Sequence, residues 1–284
     1  MTAVPQIVGA NGLSLPALGL GTYGMTFAEL NAVMPAVLDA GLRHIDTAQI
    51  YRNEDAVGDL VAASNVPRAD LFLTTKVWID NYPGRFFAVS VDESLKRLRT
   101  DYIDLLLLHW PSRAVPLEEQ IAGLVAAVKA GKARHIGVSN FTGGMVAEAA
   151  RLSSVPLATN QFEYHPYLNQ KIAINATRQT GLSVTAYCAM AVGRVFDEAL
   201  LKEIASAHHR SVAQVVLRWV FQQDIATLTR STNVNRIADN IRVFDFALSD
   251  AEMDAITALA DPKGRIVNPP GLAPDWDPTP AIRV

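Results

Sequence analysis

The chain has 284 residues, half of them apolar, and a formal net charge of −3 from 25 basic and 28 acidic side chains. An isoelectric point near 6.1, without blocks of like charge, excludes a surface specialised for nucleic acid or anionic membranes. The single cysteine, Cys188, excludes an intramolecular disulfide framework and fits a reducing compartment. Because Cys188 follows Tyr187 in an apolar strand-like stretch, we interpret it as a small core residue.

The N-terminus lacks the basic start and apolar stretch of a signal peptide. The purest apolar run, LLLL at 105–108, is far too short to span a bilayer. We therefore expect a soluble, cytoplasmic protein that is a monomer and acts on a small molecule, with no nucleic-acid or membrane partner.

Strand-like and helix-like segments alternate along the chain, a pattern typical of a parallel sheet. Asn11-Gly12 between two short apolar stretches predicts an N-terminal hairpin. Eight strand candidates follow, at 17–22, 43–46, 71–76, 104–109, 134–138, 157–161, 182–187 and 225–229. Helical patterns separate them, the first with an apolar face of Leu30, Val33, Met34, Val37 and Leu38. Left-handed helix ends are predicted at Gly41, Gly131 and Gly181.

Eight β/α units predict an α/β protein with a closed (β/α)8 TIM barrel. No linker or low-complexity stretch divides the chain, so residues 1–284 are expected to form a single barrel domain. The hairpin is expected to cap the bottom of the barrel. The tail from Arg265 carries Leu272, Trp276 and Ile282, which would be poorly placed in solvent, and it is expected to lie as an ordered strap over the barrel mouth.

Residues 19–24 spell GxGxxG after a strand, and Asp46 follows roughly twenty residues later, which is the pattern of a Rossmann dinucleotide site. However, this strand is short and begins after Pro16, whereas a central Rossmann strand is a longer buried run. The many later β/α repeats also favour the barrel. In a barrel, small residues at the end of the first strand let a cofactor lie close to the backbone, at Gly21, Thr22 and Tyr23.

Four polar residues lie at or just past the ends of predicted strands, where a parallel barrel gathers its catalytic groups: Asp46, Tyr51, Lys76 and His109. Singly, such a lysine is usually solvated and such a histidine usually a turn residue. Together they fit a proton-donating site. The Tyr51 phenol, with an ordinary pKa of about 10, would act as an acid if the Lys76 cation, paired with Asp46, lowered that value. His109 would orient a carbonyl oxygen, which predicts reduction of an aldehyde or ketone.

An apolar substrate pocket is predicted from four aromatic residues, three of which follow strand ends: Tyr23, Trp78, Trp110 and Trp276. His109 would contribute the polar group. The other histidines show no spacing typical of a metal site and are interpreted as structural or surface residues: His44, His135, His165, His208 and His209. No metal is expected.

An ordered series of motifs runs along nearly the whole chain: LGLGTYGM, GLRHIDTAQIYRNEDAVG, LFLTTKVW, LRTDYIDLLLLHWP, IGVSNF, TNQFEYHPYL and VFDFALSDAEM. The series resembles the aldo-keto reductase superfamily. Within it, HIDTAQIYRNE, LTTKVWI and GLAPDWD are similar to the bacterial 2,5-diketo-D-gluconate reductase B and methylglyoxal reductase branch. The resemblance implies that Tyr51 is the proton donor, Lys76 and Asp46 its activating pair, and His109 the group that orients the carbonyl.

The resemblance also implies an NADPH (NADP+) site, with NADH less favoured. Ser139, Asn140 and Gln161 would hydrogen-bond the carboxamide and Tyr187 would stack on the nicotinamide, although a turn or core role would also explain each residue. The adenosine phosphate would lie on the segment TRSTNVNRIADN, against Arg230, Ser231, Thr232, Asn233, Arg236 and Asn240. Further expected cofactor contacts are Gly21, Thr22, Tyr23 and Asp46.

Several positions depart from the family pattern. Arg230 stands where the family usually has Lys, Thr229 where it has Pro, and Asp239 where it has Glu. Arginine is a good phosphate ligand, so NADPH remains favoured. The stretch AYCAMAVGRVF also differs from the usual tyrosine-serine-proline-leucine pattern of the loop over the pyrophosphate.

The expected activity is reduction of small aldehydes or dicarbonyls, such as methylglyoxal or keto-sugars. Two other functions stay open: a non-catalytic NADPH-binding regulator, as in the potassium-channel β subunits that resemble this superfamily, and a Schiff-base aldolase that uses Lys76. Retention of all four catalytic side chains argues against the regulator. An Asp46 partner, which raises a lysine pKa, argues against the aldolase.

Overall fold

A computed structural model describes residues 4–278, apart from the side chains of Asn235 and Ala238. Ile282, expected in the tail, lies outside these residues. The chain begins with an antiparallel hairpin of β1 (Gln6–Val8) and β2 (Ser14–Pro16). The predicted turn is present, and Gly12 adopts a left-handed φ of 81° there.

The hairpin covers the N-terminal end of the barrel. The Asn11 side-chain amide donates to the Leu157 carbonyl at 2.7 Å, at the start of a barrel strand. From the hairpin, Leu15 packs into the barrel interior against Leu105, Leu107 and Ala158. This confirms the predicted cap and removes the apolar bottom layer from water.

Eight parallel strands form a closed barrel: β3 (Leu18–Gly21), β4 (His44–Asp46), β5 (Phe72–Val77), β6 (Ile103–Leu108), β7 (Ala133–Ser139), β8 (Leu157–Glu163), β9 (Ser183–Tyr187) and β10 (Ile225–Thr229). Neighbours in sequence are neighbours in the barrel, and β10 pairs with β3 to close it. The predicted (β/α)8 barrel is therefore confirmed.

The described helices surround the barrel: α1 (Phe27–Asp39), α2 (Glu54–Ala62), α3 (Arg85–Leu98), α4 (Leu117–Lys129), α5 (Gly143–Leu152), α6 (Lys171–Gln179), α7 (Ala199–Ala207), α8 (Val212–Phe221), α9 (Val234–Ile241) and α10 (Asp250–Thr257). Short 3-10 helices lie at Gln49–Tyr51, Arg68–Asp70, Ile79–Asn81, Ala191–Asp197 and Arg242–Phe244. All five predicted core residues of α1 are buried. Each predicted glycine at 41, 131 and 181 has a left-handed φ, between 72° and 91°.

The GxGxxG stretch belongs to barrel strand β3 and the loop after it, so the Rossmann interpretation is wrong. Gly19 faces the buried ring of His44, and a Cβ at Gly19 would lie only 2.7 Å from His44 Nδ1. The glycine therefore makes room for a histidine inside the barrel, where His44 Nε2 lies 2.9 Å from the Thr74 hydroxyl.

The tail after α10 crosses the loops that follow β6 and β7, at the C-terminal mouth of the barrel. Asp277 accepts a hydrogen bond from the Gly143 amide at 2.8 Å, at the start of α5. Trp276 packs edge-on against Trp110, with ring centroids 6.2 Å apart. The tail therefore lies over the mouth, as predicted. None of the helices described is long and apolar enough to cross a membrane.

Cys188 departs from its predicted place in the core. It lies one residue past the end of β9, is only half-buried, and has a left-handed φ of 61°. Burial still raises the pKa of its thiol to about 11, which keeps it protonated. The strand ends at Tyr187, as predicted, and the chain turns at Cys188.

Candidate active site

Lys76 and Asp46 form a buried ion pair at the barrel mouth. Lys76 on β5 is 1% exposed and Asp46 at the end of β4 is 2% exposed. The Lys76 ammonium donates to Asp46 Oδ1 and, at 2.9 Å, to the Thr47 carbonyl. Burial lowers the pKa of Lys76, and the Asp46 charge opposes this by stabilising the ammonium.

Tyr51 ends the 3-10 helix that follows β4, and this turn brings its ring over the ion pair. The Lys76 ammonium lies 5.1 Å from the centre of the Tyr51 ring. Burial, followed by the Asp46 charge, raises the pKa of the phenol well above 10. We had expected Lys76 to lower this pKa. The expectation is wrong, because burial and the Asp46 charge both disfavour the phenolate and together dominate its pKa.

His109 follows β6 and lies between two aromatic rings. Its ring centre is 5.4 Å from that of Tyr51 and 5.3 Å from that of Trp78. Burial, and then the Lys76 charge, lower its pKa well below 6.5, so the imidazole is neutral at physiological pH. Within the described residues, Nδ1 of His109 is buried without a hydrogen-bond partner. Asp46, Tyr51, Lys76 and His109 thus meet in one place, as the strand ends predicted.

The residues expected near the nicotinamide form a network beside this cluster. Gln161 donates its side-chain amide to Asp46 Oδ2 at 2.8 Å, and the Ser139 hydroxyl donates to the Gln161 carbonyl at 2.8 Å. Asn140 donates to the His109 carbonyl at 3.0 Å and accepts from the Tyr187 hydroxyl at 2.7 Å. Direct hydrogen bonds therefore join the cluster around Asp46 to the residues expected near the nicotinamide.

The residues at the end of β3 contact Asp46 and Tyr51. Thr22 is fully buried, and both its amide and its hydroxyl donate to the Asp46 carbonyl at 3.0 Å. Tyr23 is 69% exposed, with its ring centre 5.1 Å from that of Tyr51. A Cβ at Gly21 would meet no atom closer than 3.6 Å, so its own neighbours do not require a glycine.

The segment expected to hold the adenosine phosphate follows β10 and is mostly open to solvent. Arg230 and Arg236 are exposed, and Arg230 reaches the Gly24 carbonyl at 3.3 Å, next to the end of β3. Asn240 is buried and donates to the Thr229 hydroxyl at 2.9 Å. The hydroxyl and amide residues between them are exposed or half-buried: Ser231, Thr232 and Asn233.

The tryptophans of the predicted aromatic wall lie at the barrel mouth. Trp110 is buried, and Trp78 and Trp276 are half-buried. Trp78 contacts His109, and Trp276 from the tail contacts Trp110. The described residues contain no group of three or more His, Cys, Asp or Glu side chains able to hold a metal ion.

Comparison with known proteins agrees with this geometry. Residues 17–261 match the aldo/keto reductase family. The methylglyoxal reductase DkgB of Salmonella typhimurium is 40% identical over 268 residues, covering 93% of this chain and all of that protein. The chain belongs to the aldo/keto reductase family.

Solved structures point the same way. A crystal structure provisionally named 2,5-diketo-D-gluconic acid reductase B is 53% identical, covers 96% of this chain and 97% of its own, and has a TM-score of 0.94. The Bombyx mori aldo-keto reductase crystallised with NADP is 31% identical, covers 98% and 99%, and has a TM-score of 0.88. As a member of this family, the chain is an oxidoreductase, and the predicted resemblance is confirmed.

Sequence reasoning missed two side chains that shape this aldo/keto reductase site. Gln49 accepts from the Trp78 amide at 2.9 Å and donates to Ser94 at 3.1 Å, which ties the Tyr51 turn to β5 and α3. Glu163, at the end of β8, is fully buried and binds the tail. The sequence did contain a signal for both residues. Gln49 lies two residues before Tyr51, and Glu163 lies two residues after Gln161, so each is close to a predicted site residue.

Proposed function

We propose that this chain reduces small aldehydes and dicarbonyls to alcohols with NADPH, using Tyr51 as proton donor. The observation that carries the proposal is the buried Lys76–Asp46 ion pair beneath the Tyr51 ring, with neutral His109 beside it. A charge pair this deep costs free energy in an apolar core, and titratable groups with shifted pKa values cluster at functional sites. The similarity to a methylglyoxal reductase supports the substrate class.

The residues present fit a nicotinamide dinucleotide. Polar groups at the ends of β7, β8 and β9 line one side of the mouth, where Ser139, Asn140 and Gln161 would hold the carboxamide and Tyr187 would stack on the ring. Arg230 and Arg236 present guanidinium groups to solvent beyond β10, where they would bind a 2′-phosphate. The NADP bound by the silkworm relative supports this cofactor. When bound, NADPH supplies the hydride.

Tyr51 is the proton donor. Its raised pKa keeps the phenol protonated throughout the physiological range, so the proton is always in place. As a carbonyl is reduced, its oxygen would become more basic than a phenolate, and Tyr51 would give its proton to that oxygen. The Lys76 ammonium, held by Asp46, then stabilises the negative charge left on Tyr51.

Neutral His109 orients the carbonyl oxygen. Its imidazole lies next to the Tyr51 ring and carries no charge near neutrality, so it would act as a hydrogen-bond donor rather than as an acid. The rings of Tyr23, Trp78, Trp110 and Trp276 would give the rest of the substrate an apolar wall.

The aldolase alternative fits the structure poorly. The pKa of Lys76 is lowered, as a Schiff-base lysine requires, and not raised as we had expected from Asp46 alone. However, the amine is 1% exposed and donates to both Asp46 and Thr47, so no face of it is open to a carbonyl carbon.

A carbonyl panel tests the proposal. Purified protein should oxidise NADPH with methylglyoxal, and more slowly with NADH at equal concentration. Borohydride treatment with substrate should leave Lys76 unmodified. Absence of NADPH turnover with every aldehyde and dicarbonyl of the panel would reject the proposed activity.

A further inference from the structure

The buried carboxylate of Glu163 is not used in the proton-transfer cluster. Glu163 is the last residue of β8, two positions after Gln161, and its side chain is 0% exposed. Successive inward-facing residues of a strand are two apart, so Glu163 lies one step further toward the barrel mouth than Gln161. A fully buried carboxylate requires strong partners.

The C-terminal tail supplies those partners. The backbone amides of Ile266 and Val267 donate to the two Glu163 oxygens, at 2.7 Å and 3.0 Å. The Arg265 guanidinium lies 3.7 Å from the carboxylate, and His165 Nε2 is 3.0 Å from it. Two consecutive amides on one carboxylate fix the direction in which the tail leaves the barrel.

Arg265 connects Glu163 to the aromatic wall through a contact with Trp276. Its guanidinium carbon lies 3.7 Å from the centre of the Trp276 ring, so the two planar groups are in contact. Its Nη2 also donates to Gln170 at 3.3 Å, and Gln170 donates to the Glu163 carbonyl at 3.0 Å. We call Glu163, Gln170 and Arg265 the tail clasp.

We propose that the tail clasp, through Glu163, determines substrate preference by holding Trp276 against Trp110 at the barrel mouth. Glu163 is a positioning residue, because it acts on the pocket through Arg265 and the tail backbone. The inference rests on the proposed carbonyl reduction. It predicts that loss of the Glu163 charge affects large apolar substrates, which reach Trp276, and spares small ones.

Glu163→Gln tests this inference in the full-length protein. Glutamine keeps the shape but offers one acceptor oxygen to two tail amides and no charge to Arg265. We expect the KM for 2-naphthaldehyde to rise about three- to ten-fold, the factor an aromatic contact contributes. The KM and kcat for methylglyoxal, and the NADPH Kd, should stay within about two-fold of wild type.

The matched control is Asp275→Asn. It also removes a carboxylate from the tail, but Asp275 is fully exposed and pairs with the exposed Arg113, so the pair contributes little. This control should leave both aldehydes unaffected. If Asp275→Asn changes the ratio of the two KM values by a similar factor, the inference is overturned, because any disturbance of the tail would then change substrate preference.

A double-mutant cycle with Trp276→Ala identifies the path of action. If Glu163 acts through Trp276, Glu163→Gln should not change the ratio of the two KM values further in the Trp276→Ala background. Tyr187 pairs with Glu163 between β8 and β9. A change in the KM ratio that persists in the Trp276→Ala background, or a parallel loss of NADPH affinity, would assign the effect to Tyr187 and reject the clasp. A lowered melting temperature with an unchanged ratio would leave Glu163 only a structural role, which also rejects it.

One further measurement, made on two variants, tests the tail clasp without relying on turnover. Acrylamide quenching of Trp276 fluorescence, taken as the difference between each protein and its Trp276→Ala counterpart, should increase in Glu163→Gln and reports tail release without any turnover. An inactive wild type would therefore remove the proposed function while the quenching still tests the clasp. If Glu163→Gln does not fold, Arg265→Lys, which keeps the charge but loses the planar contact, should produce the same increase in quenching. Unchanged quenching would reject the clasp.

Discussion

Gln161 donates its side-chain amide to Asp46 across the barrel mouth at 2.8 Å, although 115 residues separate them in the chain. Asp46 uses its other oxygen for Lys76, so one carboxylate joins the group beneath Tyr51, the proposed proton donor, to the group expected to hold the nicotinamide. A cofactor that moved Gln161 would thus also affect the Lys76–Asp46 pair.

We expect Tyr51→Phe to lower kcat for methylglyoxal by about 10²- to 10⁴-fold, because the ring remains and only the proton donor is lost. The NADPH Kd, measured by fluorescence titration, should stay close to wild type. Turnover similar to that of wild type would show that another group donates the proton.

Lys76→Met should be as damaging as Tyr51→Phe, because the phenolate then forms without a cation beneath it. The double variant should be little worse than either single variant, since residues that act as one unit are not additive. Steady-state rates of the three variants check this. Losses that multiply would show that Tyr51 and Lys76 act independently. The melting temperature should be followed as well, because Lys76→Met leaves Asp46 buried without its cation.

Asp46→Asn should be milder than either change and should move the alkaline limb of the pH–rate profile to lower pH. Asp46 raises the pKa of both Lys76 and Tyr51, so its loss lowers both. Activity needs both groups protonated and is lost as pH rises through the lower of the two values. Profiles of kcat should be compared with those of Asp250→Asn, an exposed control. A limb that stays in place or moves to higher pH contradicts the assignment.

Arg230→Ala or Arg236→Ala should weaken NADPH binding by about 1.5–3 kcal/mol, the typical contribution of a hydrogen bond to a charged group. NADH binding should change little, because NADH lacks the 2′-phosphate. Dissociation constants for both cofactors test this, with Arg151→Ala on the exposed side of α5 as the control. Equal weakening of NADPH and NADH would place these arginines away from the phosphate.

The sequence was sufficient for the architecture because the relevant signals are local. The apolar runs and intervening helical faces predicted eight β/α units, and Gly41 and Gly131 marked helix ends that the structure confirms. In a parallel barrel the C-terminal ends of all strands lie at one mouth. The positions of Asp46, Lys76 and His109 at predicted strand ends were therefore enough to predict that they lie close together. Their catalytic roles remain predictions.

Only the tertiary structure decided features that depend on contacts between distant segments. The sequence showed an acid, a lysine and a tyrosine. Burial by distant elements and the Asp46 charge set the pKa of Tyr51, and both raise a value that Lys76 was expected to lower. Glu163 looked like one more charged residue in a motif. Its partners, the Ile266 and Val267 amides, lie more than a hundred residues later in the chain. Local patterns determine secondary structure because they act within a few residues, whereas burial and pairing are set by the closed barrel and its tail.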